Sequence, residues 1–149
     1  MRLPAGVELR DATADDIPQL MSLERAMKPL IERYYPGAWD EEKLAQELRD
    51  QLGTTFVLES SGIVIAFLRW SQEDDATVLY SVQVHEDHRG RGFGTHLIAE
   101  FENRAKKCGA RKAVLVVHDG NHSRHLYEHL GYRESGRDGE FAAEMSKQL

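Results

Sequence analysis

Apolar and polar residues alternate over positions 7–10, which predicts a short strand near the start of the chain. Ile17, Leu20, Met21, Glu24 and Met27 then recur at helical spacing behind Thr13-Ala14-Asp15-Asp16, where Thr13 is a candidate cap and the acids suit a first turn. Pro18 moves the expected helix start a residue or two later, and Pro29 is expected to kink or end the helix. Residues 40–52 predict a second helix with a polar outer face, closed by Gly53. Residues 54–59 and 63–70 read as strands joined by Ser60-Ser61-Gly62, a hairpin signal. Glu73-Asp74-Asp75 turns into a third strand over 77–84. The first half is therefore an antiparallel meander behind two helices, with an aromatic segment, Tyr34-Tyr35-Pro36-Gly37-Ala38-Trp39, between those helices.

The second half changes character. A glycine-rich loop, 88–94, opens a helix whose apolar positions Phe93, Leu97, Ile98, Phe101 and Ala105 share one face, and Cys108-Gly109 ends it. Residues 113–117 form a continuous apolar run, the pattern of a strand buried on both faces. Strand, loop, helix and strand make a βαβ unit, so strands 77–84 and 113–117 are expected to run parallel with a right-handed crossover. A further helix over 121–130 ends at Gly131, and a weak pair of terminal strands follows. One α+β domain spanning 1–149 accounts for this order.

Composition narrows the partners. A chain of 149 residues can bury a core without staples, and a lone cysteine, Cys108, excludes an internal disulfide and fits a reducing compartment. No apolar stretch is long enough to cross a bilayer, and the opening Met1-Arg2-Leu3-Pro4-Ala5-Gly6 lacks the apolar core of a secretory signal. A cytoplasmic protein without a membrane partner is expected. The net charge of −6 argues against a nucleic-acid partner, which calls for a basic face. An anionic ligand would need a local positive patch, so the placement of the arginines matters more than their sum.

That placement is informative at Arg89-Gly90-Arg91-Gly92-Phe93-Gly94-Thr95. Glycine permits positive φ and close approach of the backbone to a ligand. Successive N–H groups at a helix N-terminus favour an anion, and Arg89 and Arg91 add charge there, so a pyrophosphate fits. The lysine of a P-loop is missing, and Gly90, Gly92 and Gly94 lack the spacing of a dinucleotide fingerprint. Three alternating glycines opening an amphipathic helix also argue against a merely flexible loop.

Residues 89–94 match the Arg/Gln-x-x-Gly-x-Gly/Ala signature of the GNAT superfamily, the acetyl-CoA-dependent N-acetyltransferases. A second segment, Asn121-His122-Ser123-Arg124-His125-Leu126-Tyr127 running on to Gly131-Tyr132, resembles that family's Asn-x-x-(Ala/Ser)-x-x-(Leu/Phe)-Tyr segment, with the asparagine one place closer to the tyrosine. The resemblance covers about residues 7–145 and is strongest over 78–132. It implies a mixed α/β, GNAT-type fold: a central mixed six- or seven-stranded sheet with about four helices on both faces. It implies acetyl-CoA as donor and no metal. The backbone of Val82, Gln83 and Val84 is then expected to hold the pantetheine arm, with a backbone N–H near Val84 polarising the thioester carbonyl. Arg89, Gly90, Arg91, Gly92, Phe93, Gly94 and Thr95 are expected at the pyrophosphate, and Asn121 at the arm or as a helix cap. The resemblance makes Tyr127 the proton donor to the departing thiolate, a role a phenol with a pKa of about 10 can fill at neutral pH.

The acceptor is a primary amine, small or peptidic, that no motif specifies. The resemblance nominates Tyr34, Tyr35, Trp39 and Trp70 as lining of its pocket. An alkyl ammonium with a pKa of about 10.4 must lose a proton before it can attack. Some relatives use a glutamate on the strand before the glycine loop, but this chain has Val78, Leu79, Tyr80 and Ser81 there. Glu24, Glu32, His118 and Asp119 are the candidate bases, with nothing in the sequence to rank them. Two rival readings stand beside the enzyme. His125-Leu126-Tyr127-Glu128-His129 formally matches an inverted zinc-peptidase motif, and the missing acid leaves room for a non-catalytic acyl-CoA sensor. Family members often dimerise.

Overall fold

The computed structural model describes residues 2–149. After β1 (Val7–Asp11), Thr13 opens a 3-10 turn and its N–H is taken by the Asp16 carboxylate at 2.8 Å. Arg10 grips the same carboxylate with two donors at 2.8 and 2.9 Å, tying β1 to the helix that follows. That helix, α1 (Ile17–Glu24), carries Pro18 in its first turn, where no N–H is needed. It gives way to a 3-10 turn over Arg25–Met27 before α2 (Lys28–Tyr34) begins. The break lies one turn upstream of Pro29, which starts α2 rather than ending α1. The proline ring conflicts with the carbonyl four residues earlier, at Arg25, so the preceding turn yields. Asp40 then caps α3 (Glu41–Asp50), accepting the Lys43 N–H at 3.0 Å.

The sheet has seven strands in the order β1-β2-β3-β4-β5-β7-β6. β2 (Thr55–Ser60), β3 (Ile63–Glu73) and β4 (Ala76–Val84) form the expected antiparallel meander. β4 and β5 (Lys112–His118) run parallel, while β6 (Arg133–Arg137) and β7 (Ala142–Gln148) close the far edge antiparallel. With α1 and α2 taken as one broken helix, the helical stretches number four: that one, α3, α4 (Phe93–Lys107) and α5 (Ser123–His129). The mixed seven-stranded sheet with helices on both faces is the architecture the sequence implied.

Neighbouring residues of a strand point to opposite faces, and the core divides accordingly. Phe56 and Leu68 face α4, where Leu97, Ile98 and Phe101 are fully buried and contribute about 1.5–3 kcal/mol each. Val57 and Phe67 face α1 and α3, packing on Leu20, Leu44 and Leu48. β5 departs from expectation. Ala113, Leu115 and Val117 pack beneath α4, but Val116 is 41% exposed, so the strand is buried on one face only. Its uninterrupted apolar run has another reason: Val116 lines an open cavity.

Candidate active site

The site exists because two parallel strands part. β4 and β5 pair from Ala76↔Lys112 to Leu79↔Leu115 and no further, although β4 continues to Val84 and β5 to His118. The His85 N–H donates to Ile65 O at 2.8 Å, so alternation along β4 turns the N–H and C=O of Val82 and Val84 to its other edge, the one β5 has left. The Val84 carbonyl accepts from Arg89 Nε at 3.1 Å on that side.

Two cavities open onto this edge. The first, about 610 Å³, lies between Val82, Gln83 and Val84 on β4, Arg89 and Gly94 at the glycine loop, Gly120 to Ser123 with Leu126, and Leu30 and Arg33 of α2. The second, about 400 Å³, runs from the same stretch of β4 toward α1 and α3. They share Met27, Val82, Gln83, Asn121 and Ser123, so the gap between the strands joins them.

The first cavity is bordered by the open edge of β4 and the glycine loop that starts α4. Gly90 and Gly92 hold φ of +75° and +85°, and Gly92 is the N-cap of α4. No acceptor among the described residues takes the N–H groups of residues 90–95, and His96 is the first to close onto the helix, at Gly92 O. A Cβ on Gly94 would meet Leu126 at 3.2 Å, so glycine there keeps the loop against α5. Free amides at a helix N-terminus, an open strand edge and Arg89 fit a long polyanionic group such as coenzyme A. Of this loop only Arg89 and Gly94 line the cavity; the Phe93 side chain is buried in the core, the exposed Arg91 points elsewhere, and Gly90, Gly92 and Thr95 also lie outside the wall. Asn121 caps α5, its Oδ1 accepting the Ser123 N–H at 2.9 Å, and also borders both cavities.

The second cavity is built from side chains. Tyr127, in the wall of this cavity, is 6% exposed, and burial pushes its phenol above the ordinary tyrosine range while Ser123 opposes the shift. The phenol therefore stays protonated and able to donate. Around it stand Trp39, Arg69, Tyr80, Ser81, Val116, His118 and Glu24. Glu24 is 5% exposed at the end of α1, and burial raises its carboxyl above the usual range against the pull of Arg69.

Of the four aromatic residues nominated as acceptor lining, the structure places only Trp39 in this wall. Trp70 is in the core under α4, its ring 5.9 Å from Phe101, because alternation along β3 puts it on the same face as Leu68. Tyr34 stacks on Phe141 at 4.7 Å, and Tyr35 meets His118 and Phe141 edge-on, each at 5.8 Å, so both brace the end of β5 instead of lining the cavity. The candidate bases separate too. Glu32 accepts the Gly37 and Trp39 N–H groups and holds the loop before α3. Asp119 is bound by two Arg137 donors that hold it below the ordinary carboxylate range. Glu24 and His118 remain in the wall. Arg69 was not foreseen, although a lone arginine in the apolar run 63–70 marked it.

His125 is on the exposed face of α5, and Glu128 is 3.8 Å from Arg124. Among the described residues no group of three His, Cys, Asp or Glu side chains is arranged to hold a metal ion. No helix among them is long and apolar enough to cross a membrane.

The family model described as Acetyltransferase (GNAT) family matches residues 20–132, which takes in both cavities and the glycine loop. The chain belongs to the GNAT family. Its GNAT fold is matched by PaiA N-acetyltransferase of Thermoplasma acidophilum, solved in complex with coenzyme A: TM-score 0.79 at 19% identity, over 96% of this chain and 99% of that one. Among curated relatives, the L-amino acid N-acyltransferase MnaT of Escherichia coli is 34% identical over 82 residues, 51% of this chain and 48% of the relative. The L-methionine sulfoximine/L-methionine sulfone acetyltransferase of Salmonella typhimurium is 32% identical over 93 residues, 58% and 54% of the two chains. The matches thus span about half the length of these relatives. None of these findings supports a non-catalytic sensor.

Proposed function

We propose that this GNAT protein transfers the acetyl group of acetyl-CoA to a primary amine, by direct attack within a complex of both substrates. The carrying observation is the meeting of the two cavities along Val82, Gln83, Asn121 and Ser123, where the β4–β5 pairing stops, with Tyr127 in the wall of the second. Acetyl-CoA supplies a thioester whose carbonyl carbon accepts the amine. The free amides of residues 90–95 and Arg89 bind the pyrophosphate, and the open edge of Val82 and Val84 binds the arm. The N–H groups on that edge donate to the carbonyl oxygen as negative charge grows on it.

The amine enters from the side-chain cavity. Its lone pair forms the C–N bond as the C–S bond breaks, and Tyr127 gives its proton to the thiolate sulfur. The proton then shed by the new amide nitrogen restores Tyr127. The L-amino acid acceptors named for two relatives favour an acceptor of that size, and the mixed charge of the cavity wall (Glu24, Asp40 and Glu47 against Arg69 and Lys43) suits a zwitterion.

The test is release of free CoA thiol from acetyl-CoA across a panel of amino acids, amines and peptides, comparing wild type with Tyr127→Phe. Amine-dependent release that falls about 100-fold in the variant, with CoA affinity unchanged, supports the reading. Release indifferent to the substitution removes Tyr127 from the reaction.

A further inference from the structure

Removal of the acceptor's proton has no residue assigned to it, and β4 offers none. Its nine residues, Ala76–Val84, include no aspartate or glutamate. A carboxyl nevertheless reaches this strand from another element. Glu24, the last residue of α1, projects over the point where Arg69 of β3 is paired with Ser81 of β4. All three residues line the acceptor cavity, and all three are under 10% exposed.

The contacts of Glu24 leave it available. Its Oε1 is 3.5 Å from Arg69 Nε, a long and single contact, and the Ser81 hydroxyl faces the same carboxyl. Arg69 spends its best bond elsewhere, donating from NH1 to Gln51 Oε1 at 2.7 Å, with Glu47 at 3.7 Å from the same nitrogen. An ammonium entering the cavity thus meets a carboxyl that is held in place but not saturated. The other charged groups facing this space are Glu47, Asp40 and Lys43 from α3 and His118 from β5. Asp40 is committed to the α3 cap, and Glu47 is half exposed on the far side of Arg69.

We infer that Glu24 is the general base for the acceptor, with Arg69 and Ser81 as the groups that position its carboxyl; this rests on the acetyl-transfer reading above. The acceptor arrives as an ammonium. One N–H bond breaks, the proton forms an O–H bond with Glu24, and the electron pair stays on nitrogen as the attacking lone pair. The proton then passes to water at the cavity mouth. With the exchange at Tyr127, the acceptor loses two protons in all: one ends on the CoA thiol and one in solvent. Burial of Glu24 raises its proton affinity above that of an ordinary carboxyl, which favours its taking a proton from the acceptor.

The deciding experiment is the pH dependence of kcat/KM for wild type, Glu24→Gln, Glu24→Asp and His118→Gln, with an alkylamine and with an alkoxyamine. The alkoxyamine is already neutral at neutral pH and needs no base. Glu24→Gln is expected to lower kcat/KM for the alkylamine about 100-fold at neutral pH, and its rate should then climb toward the amine's own pKa of about 10. With the alkoxyamine the same variant should stay within about threefold of wild type, and Glu24→Asp should recover part of the loss. A readout independent of turnover is the infrared carboxyl band in the difference between wild type and Glu24→Gln. Its midpoint should match the rising limb of the wild-type profile.

If Glu24→Gln keeps the wild-type profile, or if His118→Gln alone loses the rising limb, the assignment is overturned. If Glu24→Gln fails to fold, wild type still decides: the rising limb must vanish when the alkoxyamine replaces the alkylamine, and its persistence overturns the assignment. Wild type that binds CoA but acetylates no amine removes the acetyl-transfer reading itself, and this inference with it.

Discussion

The two cavities that meet at the end of β4 are made from different materials. Beside the one toward α4 lie backbone groups: free amides, two glycines at positive φ and a strand edge without a neighbour. The side toward α1 and α3 is side chains: Glu24, Trp39, Arg69, Tyr80, Tyr127 and His118. Backbone groups offer the same hydrogen bonds whatever residue carries them, so the α4 side can be kept by a short glycine motif.

Five substitutions press on that contrast. The largest effect is expected from the two tryptophans, which the sequence alone could not tell apart. Trp70→Ala should cost about 3–5 kcal/mol of stability in denaturant unfolding, because the ring is buried against Phe101. Trp39→Ala should instead raise the acceptor KM with much less loss of stability. A reversed pattern would put Trp70 back in the site.

Next is Gly92→Val. A branched side chain at a φ of +85° strains the backbone by about 1–2 kcal/mol, and displaced amides should weaken CoA binding by more than about tenfold in calorimetry. Arg91→Ala, which removes an exposed side chain beside it and leaves the backbone in place, should change affinity much less. Equal effects would mean that side-chain charge, and not backbone, binds the donor.

The smallest effect concerns how α1, the carrier of Glu24, is seated. Two Arg10 donors and the Thr13 N–H hold the Asp16 carboxyl below its ordinary range. A carboxyl with a lowered native pKa stabilises the fold above its unfolded value of about 3.9, and that stabilisation is lost as pH falls through the native value. Asp16→Asn should therefore cost about 1.5 kcal/mol at neutral pH, and the gap from wild type in unfolding curves should close below about pH 4. A gap that persists in acid would show that the amide disturbs the turn by shape and not by charge.

How much was legible follows the same line. Periodicity placed five of the seven strands to within a few residues, foresaw the last two as a pair without bounds, and placed α4 and α5. Four features were misread or unseen. The break before Pro29 fell a turn early, because the ring acts on the carbonyl four residues back. The apolar run of β5 resembled a doubly buried strand, because a valine lining a cavity and a valine in a core have the same chemistry. Trp70 shares the core face of Leu68 by plain alternation, but residues 64–70 are buried on both faces of the strand, so the pattern did not show which face meets the acceptor cavity. Glu24 stood in an apolar helical stripe, and Arg69 in an apolar strand; each was visible as an anomaly, but not as one of a pair.

What the sequence determined by itself is therefore local: the order of elements, the parallel βαβ unit, and the glycines that give the α4 loop its shape, since each depends on residues within one or two turns of one another. Tertiary structure decided what depends on distant segments. It set where β4 and β5 separate, which aromatic residue faces the acceptor, and that residues 24, 69 and 81 share one cavity floor. Those three lie on different elements, and only packing α1 across the sheet brings a carboxyl from one of them to the place where an amine must lose its proton.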